Sequence, residues 1–283
     1  MIYRIRHLTK FRYSQPICES VMELRMQPRT DEGQRCLEFE VAVSPVAVVH
    51  SYADFLGNTV HHFDIPSMHQ ELNIETRSLV DRSNVASSAK AGATIGWEQL
   101  DAVAGESAHW DWIHSSHFAE PTDRLRSLAE QLRITRRDDP LKVLRDLNSG
   151  IYRTLKYEPK STRVDSPIDE CLEKQRGVCQ DFAHVFIAIA RLLRIPCRYV
   201  SGYLFHRPDH HSGGHGDASH AWAEALLPQH GWVGFDPANN CLAEDDHVRV
   251  AVGRDYADVP PTRGVFKGLA ESELTVGVDV QKV

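Results

Sequence analysis

The sequence contains one nearly unbroken apolar run, FAHVFIAIARLL at residues 182–193, and this run limits the possible folds more than any other feature. Only His184 and Arg191 interrupt it, and the absence of Gly and Pro predicts a helix that ends before Pro196. A helix that is apolar on nearly every side has to be enclosed by other elements of the protein. We therefore expect the helix to be buried against a sheet.

Three segments after this run have the apolar alternation of β-strands, at 197–204, 220–227 and 232–236. A turn at 228–231 joins the last two segments and makes them neighbours in an antiparallel hairpin. A central helix packed on an antiparallel sheet is an α+β arrangement, which is the fold class that we predict.

The first 85 residues also alternate along several short stretches, separated by turns such as the one at Gly57 and Asn58. This spacing predicts a small antiparallel β-sandwich. We therefore expect an N-terminal β-sandwich domain at 1–85, a linker with an aromatic-rich connecting segment at 86–120, and a domain at 121–283 that contains the apolar helix. A further strand is predicted at 274–280, and the sequence does not indicate which sheet it joins.

Composition argues against several classes of protein. The formal charge is −7 with no basic stripe, so we expect no nucleic-acid partner. The sequence contains no run of about 18 apolar residues, so we expect no membrane-spanning helix. The first residues lack the apolar region of a signal peptide. The 6 cysteines are scattered without a CxxC pair, which predicts reduced thiols in a cytoplasmic protein.

One cysteine, Cys179, stands at the predicted N-terminus of the apolar helix. Exposed N–H groups and the helix dipole at this end stabilise a thiolate, and the same N–H groups can bind a developing oxyanion. Gly177 is expected to permit a tight turn into the helix, with a positive φ angle if the turn needs one. These features predict that Cys179 is a nucleophile, although a buried structural cysteine stays the alternative.

His220 begins one strand of the predicted hairpin and Asp236 ends the other. With the turn centred near residue 229, His220 pairs with roughly residues 236 to 238. A cysteine, a histidine and an aspartate are the groups of a thiol acyl-transfer site, in which the carboxylate orients the histidine that moves the proton. Each residue taken alone has another interpretation. His220 could be an ordinary histidine at a strand end, and Asp236 could be a turn residue before Pro237.

Three segments carry a resemblance to a known family: RGVCQDFAHVFIAIARLLRIPCRYVSGYL at 176–204, SHAWAEALL at 219–227 and GWVGFDPANN at 231–240. They resemble the catalytic core of the transglutaminase-like superfamily, and in particular bacterial transglutaminase-like cysteine enzymes with an N-terminal β domain. The resemblance covers about residues 140–260 and makes 121–283 the expected catalytic domain, with a papain-like or transglutaminase-like core. It implies Cys179 as nucleophile, His220 as general base and acid, and Asp236 as the orienting carboxylate.

The resemblance implies an acyl-enzyme mechanism but does not select the reaction, because the superfamily includes protein crosslinkers, peptidases, amide hydrolases and members without catalysis. We expect a cysteine peptidase or amidase that acts on a peptide or protein substrate, since no calcium cluster or secretion signal is evident. Transfer of the acyl group to an amine is one alternative, and a non-catalytic binding protein on the same fold is another. The oligomeric state stays open.

Gln180 and Trp222 are further candidates, for contacts with the substrate, because they lie beside Cys179 and on the strand of His220. The segment 205–219 is rich in histidine and glycine, and with His220 it contains five histidines. A zinc or nickel site is one interpretation of this composition. We predict instead a solvated loop beside the site, and no metal or other cofactor for a thiolate mechanism.

Overall fold

A computed structural model describes residues 1–31, 33–82, 96–137, 139–205 and 219–283. The predicted linker before residue 96 lies outside these ranges, as do the predicted histidine loop from 206 to 218 and any metal site in it. Within the described ranges no helix is both long and apolar enough to cross a membrane. The cellular location stays a prediction.

The N-terminal region is an antiparallel sheet built around one long strand. Its strands are β1 (Ile2–Leu24), β2 (Arg35–Ser44), β3 (His50–Ala53), β4 (Thr59–Ile65) and β5 (His69–Asp81), in the spatial order β2-β5-β1-β4-β3. The first part of β1 pairs with β5, and its last residues pair with β4 after an irregularity between Arg12 and Ile17. Strand β1 therefore belongs to both halves of the sheet.

Buried apolar side chains from both halves of the N-terminal sheet form one cluster. It contains buried side chains from both parts of β1 and from β4 and β5: Tyr13, Ile17, Met22, Leu24, Phe63, Ile65, Leu72 and Ile74. Alternate residues point to the same face of a strand, so the alternation in the sequence produces this cluster. The prediction of an N-terminal antiparallel β unit is confirmed.

The apolar run forms the central helix of the second region. Six helices are described: α1 (Trp97–Ala104), α2 (Trp110–Ile113), α3 (Asp123–Gln131), α4 (Pro140–Thr154), α5 (Ile168–Lys174) and α6 (Cys179–Leu192). In α6 every residue from Gln180 to Arg191 is buried. The aromatic-rich segment packs on the same core, where Leu100 of α1 is fully buried.

Helix α6 packs on a five-stranded antiparallel sheet, as the apolar run requires. The sheet contains β8 (Cys197–Leu204), β9 (His220–Leu227), β10 (Gly231–Asp236), β11 (Cys241–Leu242) and β12 (His247–Gly253), in the order β11-β10-β9-β8-β12. A short parallel pair, β6 (Lys156–Tyr157) and β7 (Arg176–Gly177), lies just before α6. The α+β fold class is therefore confirmed.

The last two strands return to the N-terminal sheet. Strands β13 (Thr262–Lys267) and β14 (Ser272–Lys282) both pair with β1 in antiparallel register. The predicted domain at 121–283 therefore needs a correction at its C-terminal end, because 262–282 belongs by hydrogen bonding to the N-terminal sheet. Alternation predicts that a segment is a strand but does not select its partner. The other domain boundaries stay predictions.

Two side-chain amides connect the N-terminal region to β12, the edge strand of the second sheet. The Gln34 amide donates to the carbonyl oxygen of Arg249 at 2.7 Å and accepts from the Arg249 N–H at 2.8 Å. The Asn58 amide donates to the Val252 carbonyl at 2.9 Å and accepts from the Val252 N–H at 2.8 Å. Each amide thus pairs with the edge of β12 as a backbone peptide would.

Candidate active site

Cys179 is the first residue of α6, and the residues around it hold this helix end in place. Val178 precedes the helix in an extended conformation, and its N–H donates to Asp181 Oδ2 at 2.8 Å. The Thr162 hydroxyl donates to the same oxygen at 2.6 Å. Asp181 is buried, and burial raises the pKa of its carboxyl group. These bonds tie the preceding loop to the first turn of α6.

Position 177 requires glycine because there is no room for a side chain, and not because of its backbone conformation. Gly177 is absent from the glycines with positive φ, so the positive φ angle considered from the sequence is not used. A Cβ atom at this position would lie 2.8 Å from both Cβ and Oδ2 of Asp181. Glycine therefore lets the Asp181 carboxylate approach the backbone that leads into Cys179.

His220 and Asp236 meet across the predicted hairpin. Strands β9 and β10 pair antiparallel, with Leu227 opposite Gly231 and Ala223 opposite Phe235. His220 Nε2 lies 2.7 Å from Asp236 Oδ2. The proximity that the turn position predicted is therefore confirmed.

Asp236 is fully buried and accepts five hydrogen bonds. Its Oδ2 atom accepts from His220 Nε2 at 2.7 Å, Asn239 Nδ2 at 2.7 Å and His247 Nε2 at 3.1 Å. Its Oδ1 atom accepts from the backbone N–H groups of Ala238 at 3.1 Å and Asn239 at 3.2 Å. Burial acts to raise the pKa of Asp236, but the charge of His220 and the bonds from both histidines hold it far below its usual range.

The His220 ring interacts with the Asp236 carboxylate and with Cys179. Asp236 Oδ2 binds Nε2 of the ring, and Cys179 favours the charged form of the imidazole. Burial acts to lower the pKa of His220, but the charge and hydrogen bond of Asp236 and the contact with Cys179 raise it to about 10. The imidazole is therefore cationic at neutral pH.

Sequence reasoning missed His247, at the start of β12. Its Nε2 atom lies 3.1 Å from the same Asp236 oxygen that binds His220, and its side chain is 5% exposed. Burial lowers the pKa of His247. The available signal was a histidine at the start of an apolar strand, HVRVAVG, shortly after Asp236.

His220, Asp236 and His247 are also the residue types that bind zinc. Their ligand atoms all lie within 4.8 Å of one another. Each histidine Nε2 is, however, at hydrogen-bonding distance from one Asp236 oxygen, as expected for two N–H donors to a carboxylate. Two hydrogen bonds from the histidine N–H groups to Asp236 thus account for the short distances among these three side chains.

Gln180 and Trp222, the candidates for substrate contacts, are both buried. The Gln180 amide donates to the Val164 carbonyl at 3.0 Å, and the residue is 8% exposed. Trp222 is 1% exposed, and its ring packs edge-on against His247 with centroids 5.1 Å apart. Because both side chains are buried, neither offers a free surface to a substrate in this structure. The binding role predicted for them stays a prediction.

Two tyrosines lie near the sulfur and were not predicted from the sequence. Burial and the neighbouring Cys179 and Asp236 raise the pKa of Tyr157 to about 12. Burial, followed by the influence of Cys179, also raises the pKa of Tyr199. Both phenols therefore stay protonated at neutral pH.

Comparison with known proteins identifies the family. Residues 3–81 match the bacterial transglutaminase-like N-terminal region, and residues 126–237 match the transglutaminase-like superfamily. Most of the chain is covered by these two matches. The protein belongs to the transglutaminase-like superfamily.

The chain is also similar to three known proteins. An uncharacterized protein of Mycobacterium tuberculosis is 35% identical over 98% of this chain and 92% of its own length. A crystal structure from Cytophaga hutchinsonii, provisionally described as a cysteine protease, covers 100% of this chain and 91% of its own, with a TM-score of 0.77 and 19% identity. That similarity concerns the fold. A protein-glutamine gamma-glutamyltransferase of Pseudomonas aeruginosa is 26% identical over 52% of this chain and 23% of its own length.

Proposed function

We propose that the protein is a thiol-dependent enzyme that hydrolyses a peptide or amide bond through an acyl-enzyme. Cys179 is the nucleophile, His220 the general acid and base, and Asp236 the carboxylate that orients His220. The observation that carries the proposal is the 2.7 Å contact between His220 Nε2 and buried Asp236 Oδ2, on a ring whose charged form Cys179 also favours.

In the first half of the proposed reaction, the Cys179 thiolate attacks the carbonyl carbon of the scissile amide. The carbonyl electron pair moves to oxygen, where N–H groups at the start of α6 are available as donors. When the tetrahedral intermediate collapses, the carbon–nitrogen bond breaks and His220 gives its proton to the leaving amine. A thioester on Cys179 and a neutral imidazole remain.

In the second half, neutral His220 takes a proton from a water molecule, whose oxygen attacks the thioester carbonyl. Collapse of this second intermediate breaks the carbon–sulfur bond and releases the acid. The thiolate and the imidazolium are thereby restored. Asp236 stays ionised throughout and stabilises the cationic form of His220.

Transfer to an amine is the second candidate, and it shares the first half of the reaction. It is supported by the similarity to the Pseudomonas aeruginosa protein-glutamine gamma-glutamyltransferase over about half of this chain. A primary amine would then attack the thioester in place of water. Peptides or proteins are the proposed substrates in both cases.

The test is incubation of the protein with a peptide library and a primary amine, with hydrolysis and amine incorporation read by mass. We expect new products from the wild type and none from Cys179→Ala. Cys18→Ser is the matched control, because Cys18 lies on β1 in the N-terminal sheet, and it should retain full activity. Peptide binding without any product would favour a non-catalytic binding protein.

A further inference from the structure

We propose that His247 is a positioning residue, which holds the Asp236 carboxylate in the orientation and charge state that His220 requires. The inference rests on the proposed function, because it assigns His247 a role in that reaction. His247 acts through Asp236 and is not proposed to touch the substrate.

The hydrogen-bonding geometry defines the protonation of His247. An ionised carboxylate only accepts hydrogen bonds, so a histidine nitrogen 3.1 Å from Asp236 Oδ2 has to carry a proton. His220 donates to the same oxygen at 2.7 Å. Two imidazole N–H groups therefore approach one carboxylate oxygen, and each restricts its rotation.

The neutral state of His247 suits this positioning role. Burial is the main cause that lowers the pKa of His247, and the nearby charges of His220 and Arg82 lower it further, against the opposing influence of Asp236. A neutral His247 supplies a hydrogen bond to Asp236 without placing a second cation beside the His220 imidazolium. The donor favours ionised Asp236, which in turn favours cationic His220.

The position of His247 is itself set by the fold. His247 pairs with Leu204 on β8, and its backbone N–H donates to the Glu244 carbonyl at 3.1 Å. Its ring packs on Trp222. Farther along β12, Gln34 and Asn58 bind the backbone from the N-terminal region. The N-terminal region thus supports the strand that carries this donor.

Two substitutions separate the hydrogen bond from the packing. His247→Gln keeps an N–H donor, whereas His247→Leu fills the space without one. We expect kcat to fall about ten- to a hundredfold in His247→Leu with KM unchanged, as for the loss of a hydrogen bond to a charged group. His247→Gln should recover most of the loss.

The pH dependence of Cys179 alkylation by iodoacetamide reports on the same interaction. Without the donor, the ionised form of Asp236 is less favoured and stabilises the His220 imidazolium less, so we expect the acid limb of the alkylation profile to move to higher pH. His247→Gln should show a smaller shift. A change in packing alone would not produce a shift of this limb that His247→Gln reverses.

The outcomes separate this inference from the proposed function. Wild-type Cys179 that is alkylated no faster than a free thiol would overturn both. Fast wild-type alkylation with the same kcat and the same pH profile in folded His247→Leu would overturn the role of His247 alone. If His247→Leu does not fold, His247→Asn, which is polar but too short to reach Asp236, replaces it under the same criteria.

Discussion

His220 and Asp236 form a 2.7 Å contact between the start of β9 and the end of β10, within a site where Asp236 has no exposed surface. The hairpin brings the two residues together, and Cys179, the first residue of α6, favours the charged form of the same ring. The contact therefore links the sheet to the helix, and the reactivity of the thiol is predicted to depend on it.

Iodoacetamide should alkylate wild-type Cys179 rapidly at about pH 6, because a cationic imidazole stabilises a thiolate beside it. We expect His220→Ala to slow the reaction at least about tenfold, since the cation is lost. Peptide mapping after a timed reaction measures the rate at Cys179, with Cys36 in the same sample as an internal control. Equal rates in the wild type and His220→Ala would contradict the proposed ion pair.

Asp236→Asn should abolish most activity, with kcat reduced by at least about a hundredfold, because a neutral amide cannot stabilise the His220 cation. The amide also places an N–H group where three side-chain donors converge. Steady-state kinetics on an identified substrate measures the loss. Asp279→Asn, on the exposed side of β14, is the matched control and should be indistinguishable from the wild type.

The pKa of His220, raised to about 10, predicts a pH-dependent contribution to stability. A group with a raised folded-state pKa stabilises the fold fully below its unfolded pKa of about 6.5, and loses that contribution as the pH rises through its folded value. The difference in unfolding free energy between the wild type and His220→Gln should therefore shrink from pH 6.5 to pH 10. Urea titrations across this window test it, and a constant or growing difference would contradict it.

Gly177→Ala should destabilise the protein by about 1–3 kcal/mol, as overpacking of a tight contact does. The new Cβ would lie 2.8 Å from the Asp181 side chain, which has to move away from the start of α6. Urea unfolding measures the change, and a lower rate of Cys179 alkylation should accompany it. Gly96→Ala is the control, because no heavy atom lies within 4 Å of its added Cβ. Equal losses of unfolding free energy in the two variants would contradict a steric requirement for glycine at position 177.

Asn58→Ala should cost about 1–3 kcal/mol, because it leaves the backbone N–H and carbonyl of Val252 without the Asn58 amide in a buried interface. Gln70→Ala, at an exposed position on β5, should change the unfolding free energy by less than about 0.5 kcal/mol. Denaturant midpoints of the two variants provide the comparison. Similar midpoints would show that the amide pairing contributes little.

Local sequence predicted the parts of this protein that depend on short-range patterns. The apolar run defined α6, and the position of one turn predicted the proximity of His220 and Asp236. The partners of the last strands could not be predicted, because alternation along β14 is compatible with pairing in either sheet. His247 was missed because its contact with Asp236 joins the edge strand β12 to β10, with β8 and β9 between them in the sheet, which no sequence spacing reports.

The sequence by itself determined that Cys179 begins a buried helix and that His220 and Asp236 share a hairpin, because both follow from periodicity and from a turn of known length. Only the tertiary structure decided how the site is enclosed. Gln180 and Trp222 are buried, and sheet order brings His247 to Asp236. The physical reason is that hydrogen-bond partners and solvent exposure depend on contacts between distant segments, whereas helices and hairpins are encoded in neighbouring residues.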